Sequence, residues 1–239
     1  MFLNDLSLIL NELIEGLNPL EFSPPVTHVY NPLVYARQPY EQYLKKYAAP
    51  TGKIILLGMN PGPWGMAQTG IPFGEIHAAK QWLKIEAPVG SPEIIHPKRP
   101  ILGFSCRRSE ISGKRLWGWA REKFGTPEIF FSRFLVLNYC PLIFFEESGR
   151  NRTPNTICAK ERLPLLSVCD HALRQTIQVL TPSHVLGIGN FAFQQAEKAL
   201  RGMDVKIGRI THPSPANPKA NRGWSALIDM ELRQNNIQI

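Results

Sequence analysis

The sequence predicts an α/β fold in which a mostly parallel sheet is covered on both faces by helices. Three observations lead there. Four short apolar runs, "KIILLG", Phe134–Leu137, "SHVLGIG" and "DVKIGRIT", have the length and composition of buried strands. Longer stretches with helical spacing separate them. The chain has 239 residues, 44% of them hydrophobic and 19% charged, enough apolar material for a sizeable core. We expect one domain over 1–239, with an N-terminal helical extension over about residues 1–50.

The elements follow in order. In "MFLNDLSLILNELIEGLNPLEF", Leu6, Leu10, Leu13 and Leu17 share one helix face, with Asp5 as N-cap. Acidic Asp5, Glu12 and Glu15 and the lack of a basic leader argue against a signal peptide. No run is long and pure enough to span a membrane. "NPLEFSPPVTHVYNP" is proline-rich and predicts an extended surface connection. "LVYARQPYEQYLKKYA" turns helical near its end. After the first strand, "EIHAAKQWLKI" predicts a helix. "EAPVGSPEIIHPKRPILG" predicts a loop with a basic knot at His96-Pro97-Lys98-Arg99. "SGKRLWGWAREKFG" predicts a helix from near Ser112 to Gly125. The second strand ends at Asn138. "KERLPLLSVCDHALRQTIQVL" predicts a helix whose start Pro164 resets. The third strand leads to the helix "NFAFQQAEKALRG", and the fourth to "HPSPANPKANRGW". A helix from near Ala220 to Gln234 closes the chain.

Composition narrows the function classes. Lys and Arg number 27 against 19 Asp and Glu, a formal net charge of +8, which favours a polyanionic partner. Cys106, Cys140, Cys158 and Cys169 form no CxxC pair, so buried free thiols are expected rather than a zinc or iron–sulfur site. GxSxG, HExxH and GxxxxGK[ST] do not occur. "GIGNFA" fits a loose dinucleotide pattern. It follows the third strand, and Asp204 precedes the next strand instead of ending it, so a tight strand-to-helix turn is the better reading.

Ligands of open parallel sheets collect beyond the carboxyl ends of the strands. Three strands here end in a polar residue set in a proline turn: Asn60 in "GMNPGP", Asn138 in "LNYCP" and His212 in "THPSP". Singly, each is common turn chemistry. Together they mark a candidate site.

The stretches "GMNPGPWGMAQTGIPFGE", "HPKRPILG", "SGKRLWGW", "LNYCPL", "SGRNRTP" and "HPSPANPKANRGW" occur in that order between Lys53 and Trp224. In them the chain resembles the single-strand-selective monofunctional uracil-DNA glycosylases, a branch of the uracil-DNA glycosylase superfamily. The resemblance implies a three-layer sandwich with a four-stranded parallel sheet flanked by helices. It implies neither metal nor organic cofactor. It implies removal of uracil and 5-hydroxymethyluracil from DNA, leaving an abasic site with the strand uncut. Broader action on xanthine or hypoxanthine, and a non-catalytic module that binds damaged DNA, stand as alternatives.

By the same resemblance, Asn60 positions the attacking water and His212 stabilises the leaving base. Asn138 reads the uracil edge and Phe73 stacks on the extruded base. Met59 and Gly62 shape the pocket through their backbone, and Met66 forms the wall near the 5-position. The loop of Pro213, Ser214, Pro215, Ala216, Asn217, Lys219 and Arg222 enters the duplex. Lys98, Arg99, Lys114 and Arg115 join Lys219 and Arg222 in contacting DNA. Vertebrate members carry a basic residue where this chain has Ala216, which puts the preference for duplex over single strands in question. Trp64 is an aromatic replacement beside the pocket motif. A monomer acting on DNA, away from membranes and in a prokaryotic cytoplasm, is expected.

These roles make physical sense. Extruding a base from a duplex costs a few kcal/mol, which stacking and edge hydrogen bonds must offset. One amide offers a donor and an acceptor, matching uracil's carbonyl and ring N–H and mismatching cytosine. A donor at the base oxygen stabilises the charge left on the departing uracil. A neutral or a cationic His212 would each serve. An Asn orients water but accepts its proton poorly, so charge stabilisation and positioning must dominate. The motif positions supply no amine to attack the sugar.

Overall fold

The computed structural model describes residues 2–50 and 52–239. In chain order, helix α1 (Phe2–Leu17) is followed by strand β1 (Val26–Tyr30), α2 (Pro32–Tyr35), α3 (Arg37–Tyr47), β2 (Ile54–Gly58) and α4 (Met66–Thr69). Next come α5 (Ile111–Phe124), α6 (Pro127–Phe131), β3 (Phe134–Asn138), β4 (Ile143–Glu146) and β5 (Asn151–Arg152). The chain ends with α7 (Ala159–Leu180), β6 (His184–Ile188), α8 (Asn190–Ala199), β7 (Lys206–Ile210), α9 (Pro218–Asn221) and α10 (Trp224–Gln234).

The expected four-stranded parallel sheet is present, in the order β3-β2-β6-β7. β2 is buried along its whole length because it has a strand on each side and helices above and below. The main core surrounds this sheet. One side holds an aromatic cluster of Trp117, Trp119, Phe124, Phe130 and Phe134 from α5, α6 and β3. Close aromatic packing of this kind gives rigid walls to whatever the strand ends hold.

Several local expectations need correction. A second, antiparallel sheet, β1-β4-β5, was not expected. β1 lies in the stretch expected to be a surface connection, yet Tyr30 is fully buried and donates through its hydroxyl to the carbonyl of Arg99. Its partner β4 is far away in sequence, so no local signal announces the pairing. Asp5 is not an N-cap: α1 already runs through it, and Leu6, Ile9, Leu10 and Leu17 are its buried positions. Residues 2–50 therefore hold a strand as well as helices, and Leu6, Ile9 and Leu17 join the main core. Pro164 does not reset α7, which starts at Ala159 and carries the proline inside its early turns. "EIHAAKQWLKI" contains a π-helical turn, Ala78–Trp82, rather than a regular helix. The last helix is split, because Gly223 has φ 123° between α9 and α10. Cys106, Cys140 and Cys169 are buried as expected, but Cys158 is exposed. No helix among the described residues is long and apolar enough to cross a membrane.

Candidate active site

A cleft of about 410 Å³ opens at the carboxyl ends of the parallel strands. Asn60, Asn138 and His212 all line it, together with Met59, Gly62 and Phe73. The sheet explains the convergence. Backbone pairing of β2 and β3 continues past their ends, with Tyr139 N–H donating to Gly58 O and Cys140 N–H to Met59 O. This continuation sets the two asparagine turns side by side. Asn60 Nδ2 then donates to Leu142 O at 3.1 Å, which fixes the amide plane and leaves Oδ1 with no protein partner among the described residues.

Asn138 is held differently. Its Nδ2 donates to Met66 Sδ at 3.1 Å, and its Oδ1 is sealed from solvent with no hydrogen-bond partner. A buried amide oxygen left unpaired is costly unless a ligand completes it. Met66 was expected to be a cleft wall. It lies instead behind Asn138, buried with Leu10 and Leu33, because α4 turns its first residue inward.

Phe73 is buried and has φ 53°, a left-handed conformation that a bulky residue rarely adopts. Its carbonyl accepts from Trp117 Nε1 at 2.9 Å, and the close passage of Gly113 lets α5 press against it. α5 thus holds the ring at the cleft, 5.9 Å from the His212 ring between centroids.

His212 follows β7. Thr211, just before it, is clamped by Glu231, which accepts from the Thr211 N–H and hydroxyl at 2.6 Å each. Trp224 Nε1 donates to Thr211 O as well. On the far side, Ser214 N–H donates to His212 Nδ1 at 3.0 Å. A backbone N–H only donates, so Nδ1 is the unprotonated nitrogen and Nε2 carries the hydrogen. Burial lowers the imidazole pKa to about 4. The ring is therefore neutral near pH 7. "GIGNFA" proves to be a support for this residue: Gly189, at φ 89°, leaves the room that His212 Cβ fills, 3.3 Å from where its own Cβ would stand.

Sequence reasoning missed several residues of the cleft. Ser112, Asn151 and Thr153 line it, the last two delivered by β5 and the turn after it. Asn151 Oδ1 is a second unpaired buried oxygen. The sequence signal for Asn151 and Thr153 was the "SGRNRTP" stretch, and for Ser112 the "SGKRLWGW" stretch. Gly58 was also missed. A Cβ there would lie 2.3 Å from Asn138 Oδ1 and 2.6 Å from Phe73 Cε2, so only glycine lets both side chains meet over the strand end. Glu110, the residue before α5, lines the cleft with Oε2 sealed and unpartnered. That oxygen occupies the space a Cβ on Gly62 or Gly65 would take. Burial, then the charge of Glu75, pushes its pKa up to about 7.

The basic residues separate into two groups. Lys98, Lys114, Lys219 and Arg222 are exposed. Arg115 is half-buried and held by the protein itself: Nη1 donates to Pro213 O at 2.9 Å and Nη2 to Asn221 Oδ1 at 2.8 Å, bracing the loop beyond His212. In that loop Pro213 is buried, while Pro215 and Ala216 form its exposed tip. Asn217 is turned inward as the cap of α9, accepting from Lys219 N–H.

Comparison with known proteins places this geometry. The model of the uracil DNA glycosylase superfamily matches residues 45–229. A single-strand selective monofunctional uracil DNA glycosylase of Mus musculus is 45% identical over 220 residues, covering 91% of this chain and 79% of the mouse protein. Proteins of the same description from Rattus norvegicus and Bos taurus are 46% and 45% identical, over 91% and 92% of this chain and 79% and 82% of their own. A crystal structure of SMUG2 from Pedobacter heparinus superposes with a TM-score of 0.66, covering 95% of this chain and 97% of that one at 18% identity, which speaks to the fold. With a family model matched over most of its length and relatives this similar, the chain belongs to the uracil-DNA glycosylase superfamily and, within it, to the single-strand-selective monofunctional family.

Proposed function

We propose that this protein is a monofunctional uracil-DNA glycosylase that hydrolyses the N-glycosidic bond of uracil extruded from DNA and leaves an abasic site. One observation carries the reading: the sealed, unpaired Oδ1 of Asn138 stands in the same cleft as Asn60 and His212. That oxygen accepts the ring N–H of uracil, and the second N–H of the amide donates to the adjacent carbonyl. Phe73 provides the stacking face.

The chemistry is assigned as follows. Asn60, its Nδ2 tied to Leu142 O, turns Oδ1 to a water and aims it at the sugar. As the bond from sugar to base breaks, the electron pair leaves with uracil. His212 Nε2–H donates to the base oxygen on which that charge gathers. A neutral imidazole suits this task, since it stabilises the anion without being asked to surrender a proton. The residues lining the cleft include no lysine, which favours water over an amine as nucleophile. Acceptance of 5-hydroxymethyluracil belongs to the same reading.

The test is incubation with an oligonucleotide carrying one uracil, followed by alkali. An alkali-labile site at that position, and none in the thymine control, is expected. Strand intact at the level of the no-enzyme control would refute the activity. Parallel oligonucleotides with 5-hydroxymethyluracil, xanthine and hypoxanthine set the base range.

A further inference from the structure

We propose that Trp64, Arg99 and Arg108 form a binding site for a phosphodiester group of the strand that delivers a base to the cleft. The ligand follows from the glycosylase reading; the place follows from the rim's own geometry.

Trp64 comes directly after Pro63, which lines the cleft. Two guanidinium groups lie against its ring. The Arg108 Cζ is 4.4 Å from the ring centroid and the Arg99 Cζ 5.1 Å. Cation–π attraction accounts for each contact alone. It does not account for bringing two cations to one indole, where they repel. Neither arginine belongs to an ion pair among the described residues. Glu110, the acidic residue nearest to Arg108 in sequence, turns its Oε2 onto Gly62 and Gly65 instead. Burial first, and then the charge of Arg108, lowers the Arg99 pKa.

The cluster is built rather than loose. Arg99 Nε donates to Gly149 O at 2.6 Å, and Arg99 O accepts from the Tyr30 hydroxyl. The turn carrying Arg99 is locked by buried His96. Lys98 N–H donates to His96 Nδ1 at 3.0 Å, so Nε2 bears the hydrogen and donates to Glu146 O and Glu147 O at 3.0 and 3.1 Å. An anion between the two arginines relieves their repulsion and takes the paired N–H geometry that guanidinium offers phosphate. The rim position selects a nucleic-acid phosphate over a free one. A base cannot enter the cleft without its flanking phosphates crossing the edge. Lys98 and Arg107, the sequence neighbours of Arg99 and Arg108, are exposed as well.

The test is equilibrium binding of a single-stranded oligonucleotide carrying an uncleavable 2′-fluoro-deoxyuridine, followed across salt concentration. Arg108 is exposed, so Arg108→Gln should fold normally, and its melting curve checks this. The expected result is a log–log salt slope shallower by about 0.7, the share of one single-strand phosphate, with binding about 8-fold weaker at ~50 mM salt. Arg108→Lys should keep the slope. Trp64→Leu should weaken binding in the same direction, because Arg108 loses its platform. Lys206→Gln, at the amino end of β7 and away from the cleft, should match the unaltered protein. An unchanged slope in Arg108→Gln, a loss equal at every salt concentration, or unchanged binding in Trp64→Leu would each overturn the proposal. Failure of the glycosylase reading would show separately, as absence of uracil release by the unaltered protein.

Discussion

The backbone N–H of Ser214 donates to Nδ1 of His212 at 3.0 Å, and this one bond decides which nitrogen of the neutral imidazole carries the hydrogen. With Nδ1 occupied, Nε2–H is the donor that the proposed mechanism directs at the departing base. Burial holds the ring's pKa down to about 4. We expect His212→Ala to slow base release about 10²–10³-fold, the effect of losing one donor to a developing anion. We also expect no rate change due to His212 between about pH 6 and about pH 8. An NMR titration of the ring checks this, and an inflection near the ordinary value of 6.5 would contradict it. The sign for stability follows. The folded pKa lies below the unfolded one, so the unfolded chain binds the extra proton. Stability is full above 6.5 and is lost as pH falls towards about 4.

In the proposed mechanism Asn60 acts through its free oxygen, and its anchor to Leu142 O keeps that oxygen in place. Asn60→Ala removes both. Single-turnover release should fall about 10²-fold or more, while the lost hydrogen bond costs only about 1 kcal/mol of stability. Rate and thermal melting measured on one preparation separate the two effects. Near-normal turnover would remove Asn60 from the mechanism.

Gly58 is where a methyl group should do most harm for its size. In Gly58→Ala the new Cβ would meet Asn138 Oδ1 and Phe73 Cε2 at 2.3 and 2.6 Å, and one or both side chains must move. We expect about 10²-fold slower uracil release, from loss of edge reading and stacking together. Overpacking should cost about 1–3 kcal/mol. A variant that folds and releases uracil at the original rate would show that the two side chains need not meet over this strand end.

Glu110 predicts a stability effect with the opposite pH sense to His212. Its folded pKa, about 7, lies above the ordinary 4.5, so the folded protein binds the extra proton between these values. Stability is full below 4.5 and falls as pH rises through about 7. Glu110→Gln keeps the shape without the charge. Its melting temperature relative to the unaltered protein should rise between about pH 5 and about pH 8.5, by the equivalent of roughly 2 kcal/mol. A difference independent of pH would show that the carboxyl does not titrate in this range.

The sequence alone determined the parallel sheet and the three polar strand ends. Both are written locally: apolar runs of strand length alternate with helical periods, and Asn60, Asn138 and His212 each sit in a proline turn directly after such a run. The family motifs then supplied their roles as expectations. Tertiary structure decided what depends on contacts between distant segments. β1 became a strand because β4 pairs with it, against a local reading full of prolines. Met66 went behind Asn138, and Arg115 against the loop after His212, because their neighbours came from elsewhere in the chain. The need for glycine at position 58 exists only once Phe73 and Asn138 meet above it. The charge state of His212 rests on burial and one backbone N–H, and a pKa is set by surroundings that no linear spacing encodes.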